Sequence, residues 1–225
     1  MRFRDRHEAG RLLAEKLSHL RDRGDVLVLG VPRGGVVVAY EIARALHVPL
    51  DVYITRKIGA PYNPELAIGA IASDGQVVLD EELIRRLGIP QEYIGEEMER
   101  QKAEIQRRLA EYRGQRPPPP LAGRTVILAD DGVATGATIR AAIQALRAQK
   151  PAEIILAVPV GPPETIAHLR AEADEVVCLS TPRLFWAVGA FYLDFSQTSD
   201  EEVKNLLEEL WQAGSVPLRG GEKGP

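Results

Sequence analysis

A chain of 225 residues is long enough to bury one substantial core, and its 45% hydrophobic and 27% charged residues are ordinary values for a globular domain. A formal charge of -4 argues against a generic nucleic-acid or membrane-surface binder, a single cysteine excludes an internal disulfide, and four scattered histidines lack the spacing of a zinc site. No signal-peptide pattern precedes the first helical stretch and no apolar run approaches the ~20 residues that span a bilayer, so a cytoplasmic protein is expected, with small molecules rather than membranes or nucleic acids as partners.

Arg4 to Arg23 places Leu12, Leu13, Leu17 and Leu20 at amphipathic helical spacing, which predicts a packing helix. Asp25 to Val31, DVLVLGV, reads as a buried strand that Pro32-Arg33-Gly34-Gly35 interrupts, and Val36 to Leu46 as the helix after it. A strand, glycine turn and helix in that order can present backbone N–H groups to an anion. Leu50 to Thr55 is the next strand. It releases Arg56-Lys57-Ile58-Gly59 into the turn-rich Ala60-Pro61-Tyr62-Asn63-Pro64, which predicts a mobile arm with two cations able to neutralise phosphate. Ala67 to Ala72 and Gln76 to Leu79 flank Ser73-Asp74-Gly75 and predict a small antiparallel pair beside the main sheet.

Asp80 to Leu87 and Gln91 to Arg113 read as helices split by Gly88-Ile89-Pro90. The second is so dense in Glu, Lys and Arg that it is expected as a solvent-exposed arm or an oligomer contact. Four prolines from Pro117 stiffen Gln115 to Gly123, and residues 80–120 are read as a helical insertion.

Thr125 to Thr138, TVILADDGVATGAT, carries the most chemistry. Its apolar start, Val126 to Ala129, suits a strand buried on both faces of a parallel sheet. Asp130 and Asp131 then set two carboxylates side by side at the strand's carboxyl end, the edge where open α/β sheets bind ligands. The loop Gly132, Val133, Ala134, Thr135, Gly136, Ala137 and Thr138 is mostly of small residues, so backbone N–H groups can approach an anion at the start of the helix Ile139 to Ala148. Carboxylates beside an anion cradle imply a ligand with both hydroxyls and phosphate.

Glu153 to Val160 and Glu175 to Leu179 supply two further core strands around the helix Pro162 to Arg170. Strands alternating with helices predict an α/β fold with a doubly wound parallel sheet. Pro182 to Phe195 then gathers five of the chain's 12 aromatics, Phe185, Trp186, Phe191, Tyr192 and Phe195, and residues 180–198 read as an aromatic hood. Glu201 to Trp211 closes the fold as an amphipathic helix. One domain is expected over residues 1–214, with residues 215–225 as a flexible tail.

Neither GxGxxG nor GxxxxGK[ST] occurs, so the usual dinucleotide and triphosphate loops lack their primary evidence. DDGVATGAT behind an apolar strand instead closely resembles the signature of the type I phosphoribosyltransferases. With the closing AVGAFYLDF, the chain is most similar to the predicted phosphoribosyltransferases of unassigned acceptor; the resemblance covers roughly residues 20–200, the helical insertion excepted. It implies a doubly wound sheet with a C-terminal hood. It also implies an enzyme that moves the 5-phosphoribosyl group of phosphoribosyl pyrophosphate to a nitrogen acceptor, a nucleobase, and releases pyrophosphate.

By the same resemblance, Asp130 and Asp131 hold the ribose hydroxyls and Ala134 to Thr138 wrap the 5′-phosphate. Arg33, Gly34 and Gly35 stand where the family keeps its pyrophosphate loop, and Arg56 and Lys57 where its covering loop begins. Asp130, Asp131, Lys57 and Arg33 are thus the catalytic candidates. The implied cofactor is Mg2+, a hard ion that prefers oxygen, reached by Asp130 and Asp131 mostly through substrate and water. Phe185, Trp186 and Tyr192 are the candidates to stack on the acceptor. Leu179 to Arg183 reads LSTPR, without the lysine that purine-salvage members place there, a departure from ordinary hypoxanthine or guanine specificity. Regulators also use this fold, so the alternative is a non-catalytic sensor of phosphoribosyl pyrophosphate or a nucleotide. A homo-oligomer is compatible with either.

Overall fold

Five strands, of which Val26–Gly30, Thr125–Ala129 and most of Glu153–Val160 are largely apolar and buried on both faces, align as one parallel sheet in the computed structural model, which describes residues 1–214. In chain order the first elements are α1 (Arg6–Lys16), β1 (Val26–Gly30), α2 (Gly34–Leu46), β2 (Leu50–Val52), β3 (Thr55–Ala60), β4 (Asn63–Ala72) and β5 (Val77–Leu79). They are followed by α3 (Glu81–Leu87), α4 (Gln91–Arg113), β6 (Thr125–Ala129), α5 (Ala137–Ala148), β7 (Glu153–Val160), α6 (Pro163–Arg170), β8 (Glu175–Ser180) and α7 (Asp200–Gln212). The expected tail, 215–225, lies outside the described residues.

The main sheet runs β2-β1-β6-β7-β8 with every neighbouring pair parallel. Alternate side chains divide between its faces: Val26, Val28, Ile127 and Ile155 pack with α1, α2 and α7, while Leu27, Leu29, Val126 and Leu156 pack with α5 and α6. This is the doubly wound sheet the alternation predicts. From β1 the chain turns one way to β2, and its later strands stack on the other side of β1. The reversal opens a crevice beyond the carboxyl ends of β1 and β6. Arg33-Gly34 and Asp130-Asp131 follow those two ends.

Helix α1 reaches the same edge because Asp5 caps it, accepting from the Glu8 N–H at 2.7 Å, and because Gly10 lets it cross close to α2. A Cβ on Gly10 would lie 2.7 Å from Glu41 Cβ and 2.8 Å from the Val38 carbonyl. The helix ends at Lys16, short of the expected Arg23, and a single tighter turn, Ser18–Leu20, follows.

Two expectations require correction. Leu50 to Thr55 is not one strand: the main sheet is left after Val52, and Thr55 already begins a second, antiparallel sheet of order β3-β4-β5. Arg56 and Lys57 therefore do not lead into an irregular loop but lie within β3, opposite Ile71 and Ala70. Asn63 and Pro64 begin β4, which leaves only Pro61-Tyr62 at the tip. The two cations hid a strand whose Ile58 and Ala60 enter a small core with Ile68, Ile84, Ile89 and Ile94.

Nor does α4 stand out as a solvent-exposed arm. Its first turn contributes Ile94 to the small core, and its second half contributes Ile105, Leu109 and Tyr112 to the main one. Tyr112 donates to the Asp200 carboxylate at the start of α7. Most of the dense charge lies on the outer face, in pairs such as Glu104 with Arg107 and Arg108, while Glu97 and Arg113 are buried. Among the described residues no helix is long and apolar enough to cross a membrane.

Candidate functional site

Where β6 ends, Asp130 and Asp131 sit half-buried at the switch point. The Asp131 N–H donates to Asp130 Oδ1 at 2.8 Å, which turns the two carboxyls into one local unit. Burial raises the pKa of Asp130 well above the usual carboxylate value, and the charge of Asp131 adds to that rise. Burial also raises Asp131, against the opposing hydrogen bond and charge of Arg6. The following loop is anchored by the Val133 N–H on the Val160 carbonyl at 2.9 Å and by Thr165 Oγ1 donating to the Ala134 carbonyl at 2.9 Å. Gly136 turns into α5 at φ 77°, a left-handed conformation that favours glycine. Gly136 has no side chain to cap α5, no acidic residue occupies the first turn, and only a long 3.4 Å bond from the Ala137 N–H to Thr135 Oγ1 engages the leading N–H groups, which remain suited to an anion.

A second helix start faces the same crevice. Helix α2 has Arg33 as its N-cap residue, with no side-chain cap and no acid in the first turn. A Cβ on Gly35 would stand 2.8 Å from Asp130 Oδ1, and one on Gly34 would fall onto Asp131 Oδ2. Glycine is required here by close approach. Arg33-Gly34-Gly35 and Asp130-Asp131, apart in sequence, thus form one continuous surface.

Arg6, at the first position of α1, is a member of this site that the sequence reading missed. Its Nε donates to Asp131 Oδ2 at 2.7 Å, its Nη1 to the Ser196 carbonyl at 2.7 Å, and its guanidinium lies 3.9 Å over the Phe195 ring. The only local signal was a charge at the start of an amphipathic helix, which a packing helix carries equally well.

The aromatic hood folds back onto the N-terminal segment. Phe3 forms a parallel bridge with Tyr192, and the Leu193 and Asp194 N–H groups donate to the Phe3 and Arg4 carbonyls at 2.8 Å each. Tyr192, expected to stack on an acceptor, offers no open face. It is 2% exposed between Phe3 and Phe195, and its hydroxyl donates to the Asp131 carbonyl at 2.6 Å. Burial and the nearby Asp131 carboxylate push that hydroxyl's pKa up, so it stays a donor. Phe185 is half-buried and stacked on Phe191 at 5.3 Å, while Trp186 is 86% exposed. Val188 of the hood presses on the signature loop: a Cβ on Gly132 would stand 2.5 Å from it.

Arg56 and Lys57 lie apart from the carboxylates, in a cleft of about 580 Å³ between the small sheet and α4. Thr138 also lines it, so the last residue of the small loop joins the cleft to the rest of the site. There Arg56 Nε donates to Gln101 Oε1 at 2.8 Å, and Gln101 donates on to Glu97 at 2.7 Å. Among the described residues no group of three or more His, Cys, Asp or Glu is placed to hold a metal ion.

A family model described as the phosphoribosyl transferase domain matches residues 5–196. The crystal structure of TT1426 from Thermus thermophilus superposes with a TM-score of 0.83 at 48% identity, covering 93% of this chain and 99% of that one. A Mycobacterium tuberculosis protein named "Putative phosphoribosyl transferase", found in strains CDC 1551 and H37Rv, is 45% identical over 230 residues. That match takes in 98% of this chain and 52% of the relative, so the chain spans about half the length of the curated relatives it matches. The family match runs from the N-cap of α1 through both glycine-bearing loops and the acidic pair to the hood, and on it the chain belongs to the phosphoribosyl transferase domain family.

Proposed function

We propose that this chain transfers the 5-phosphoribosyl group of phosphoribosyl pyrophosphate to a nitrogen acceptor of nucleobase type and releases pyrophosphate. The observation that carries the reading is the convergence of two helix starts, α2 and α5, neither capped by its N-cap side chain, on two adjacent carboxylates. Vicinal ribose hydroxyls are donors and suit Asp130 and Asp131. The 5′-phosphate suits the N–H groups of Ala134 to Thr138, and the pyrophosphate suits Arg33, Gly34 and Gly35 at the start of α2. Arg56 and Lys57 on β3 line the cleft that Thr138 joins to this loop, and they are two further cations suited to the ligand's phosphates.

As the bond from the anomeric carbon to pyrophosphate breaks, positive charge develops on the ribose beside Asp130 and Asp131. Negative charge develops on the leaving oxygens, where the α2 N–H groups, Arg33 and Lys57 take it up. The acceptor nitrogen supplies the electron pair of the new bond. Carboxylate oxygens are hard donors and fit a magnesium ion, and two of them hold it best when the ligand's own oxygens complete the shell. When bound, the ion neutralises charge on the pyrophosphate.

Calorimetry should show phosphoribosyl pyrophosphate binding in the presence of magnesium, and a nucleobase panel should reveal pyrophosphate release. Asp130→Asn with Asp131→Asn should lower that release by more than about 100-fold, the order lost when charge stabilisation is removed from a transition state. Absence of binding heat would sink the proposal. Binding with no turnover across the panel would favour the sensor instead.

A further inference from the structure

We propose that Arg6 is a positioning residue: clamped against the hood, it aims the Asp131 carboxylate at the ribose. The inference rests on the reading that Asp131 meets ribose hydroxyls. Asp131 is held at two points. Its main-chain carbonyl accepts from the buried Tyr192 hydroxyl at 2.6 Å, and its Oδ2 accepts from Arg6 Nε at 2.7 Å. The Arg6 bond takes Oδ2 and leaves Oδ1 for a ligand hydroxyl.

Arg6 can serve as a fixed donor because it is itself confined on several sides. The Ser196 carbonyl takes Nη1 at 2.7 Å, the Phe195 ring lies 3.9 Å beneath the guanidinium, and Gly10 seats α1 against α2. The turn into α2 closes another side, since a Cβ on Gly34 would stand 2.6 Å from Arg6 Nε. The Arg6 side chain is 11% exposed, unlike a solvated surface charge. A planar guanidinium stacked on a ring and bonded through two of its nitrogens has one orientation, which an ammonium on a flexible stem would not keep. The hood is thereby coupled to the acidic pair through one side chain.

The test separates aiming from general loosening by using two ligands. Phosphoribosyl pyrophosphate needs Asp131, whereas inorganic pyrophosphate has no ribose. Calorimetry with magnesium on the full chain should show Arg6→Gln weakening phosphoribosyl pyrophosphate by about tenfold or more, with pyrophosphate changed by less than about twofold. Arg6→Lys should fall between, because a point charge replaces a fork. In an Asp131→Asn background, Arg6→Gln should add little, since it acts through that carboxylate.

Equal losses on both ligands, full additivity with Asp131→Asn, or an Arg6→Gln protein that binds phosphoribosyl pyrophosphate as wild type does would each overturn the proposal. Should Arg6→Gln fail to fold, Phe195→Leu removes the ring beneath the guanidinium and leaves α1 intact. It must then show the same selective loss in smaller measure, and wild-type affinity for both ligands would count against the proposal. A wild-type chain that binds pyrophosphate but not phosphoribosyl pyrophosphate overturns the underlying reading and this inference with it, an outcome distinct from failure of Arg6 alone.

Discussion

Ionising the Asp130 carboxyl costs the ligand-free protein stability. It is half-buried at the end of β6, and burial first, then the neighbouring Asp131 charge, raise its pKa well above the ordinary 3.8. A carboxyl whose folded-state pKa exceeds its unfolded value favours the fold while protonated. Its contribution is complete below the unfolded pKa and is lost as pH rises through the folded one. Asp130→Asn should therefore raise the melting temperature of the ligand-free protein at neutral pH, by about 2–4 °C for each kcal/mol recovered in a domain of this size. The gain should shrink toward zero below about pH 4, where the wild-type carboxyl is protonated in both states. Thermal melts at the two pH values check this, and identical melting at neutral pH would contradict it. Because the same substitution removes a proposed ribose contact, stability and activity should move in opposite directions.

Among the elements, α4 joins the parts of the fold. Its last residue, Arg113, donates through Nε to Asp51 Oδ1 at 2.8 Å and through Nη2 to the Val52 carbonyl at 3.0 Å, with both ion-pair side chains 7% exposed. Burial raises the pKa of Asp51 and Arg113 opposes that rise, so loss of the arginine leaves a buried carboxyl uncompensated. Arg113→Met should cost about 3–5 kcal/mol in urea denaturation, the range for breaking one side of a buried pair. The double variant Asp51→Leu with Arg113→Met should recover much of that loss, and strict additivity would show that the pair is not coupled. The apolar spacing Ile105, Leu109 and Tyr112 was legible in the sequence, but the density of charge around it suggested a solvated arm. The same weighting concealed β3, where Arg56 and Lys57 drew attention from Ile58 and Ala60. A run of charge along an element says nothing of the apolar residues on its other side.

Across the whole molecule, α4 ties the small-sheet core to the core on the α1, α2 and α7 face of the main sheet, so we expect residues 1–214 to melt as a single cooperative unit. Phosphoribosyl pyrophosphate with magnesium should shift that transition upward. At 100 times its dissociation constant a ligand adds about 2.7 kcal/mol, or about 5–10 °C at this size. The shift should vanish in the Asp130→Asn, Asp131→Asn double variant, and a differential scanning experiment measures both. The alternation of strands and helices, the acidic pair at a strand end and the small-residue loop before α5 are contiguous features. Periodicity and residue chemistry alone therefore determined the fold class and one half of the candidate site. Strand order brought the Arg33-Gly34-Gly35 turn against that half, and helix packing brought Arg6. Folding of the hood onto Phe3 turned Tyr192 from a stacking surface into a support for Asp131. Only the tertiary structure decided these, because residues 125 positions apart, as Arg6 and Asp131 are, share no local pattern and meet solely through the packing of the elements that carry them.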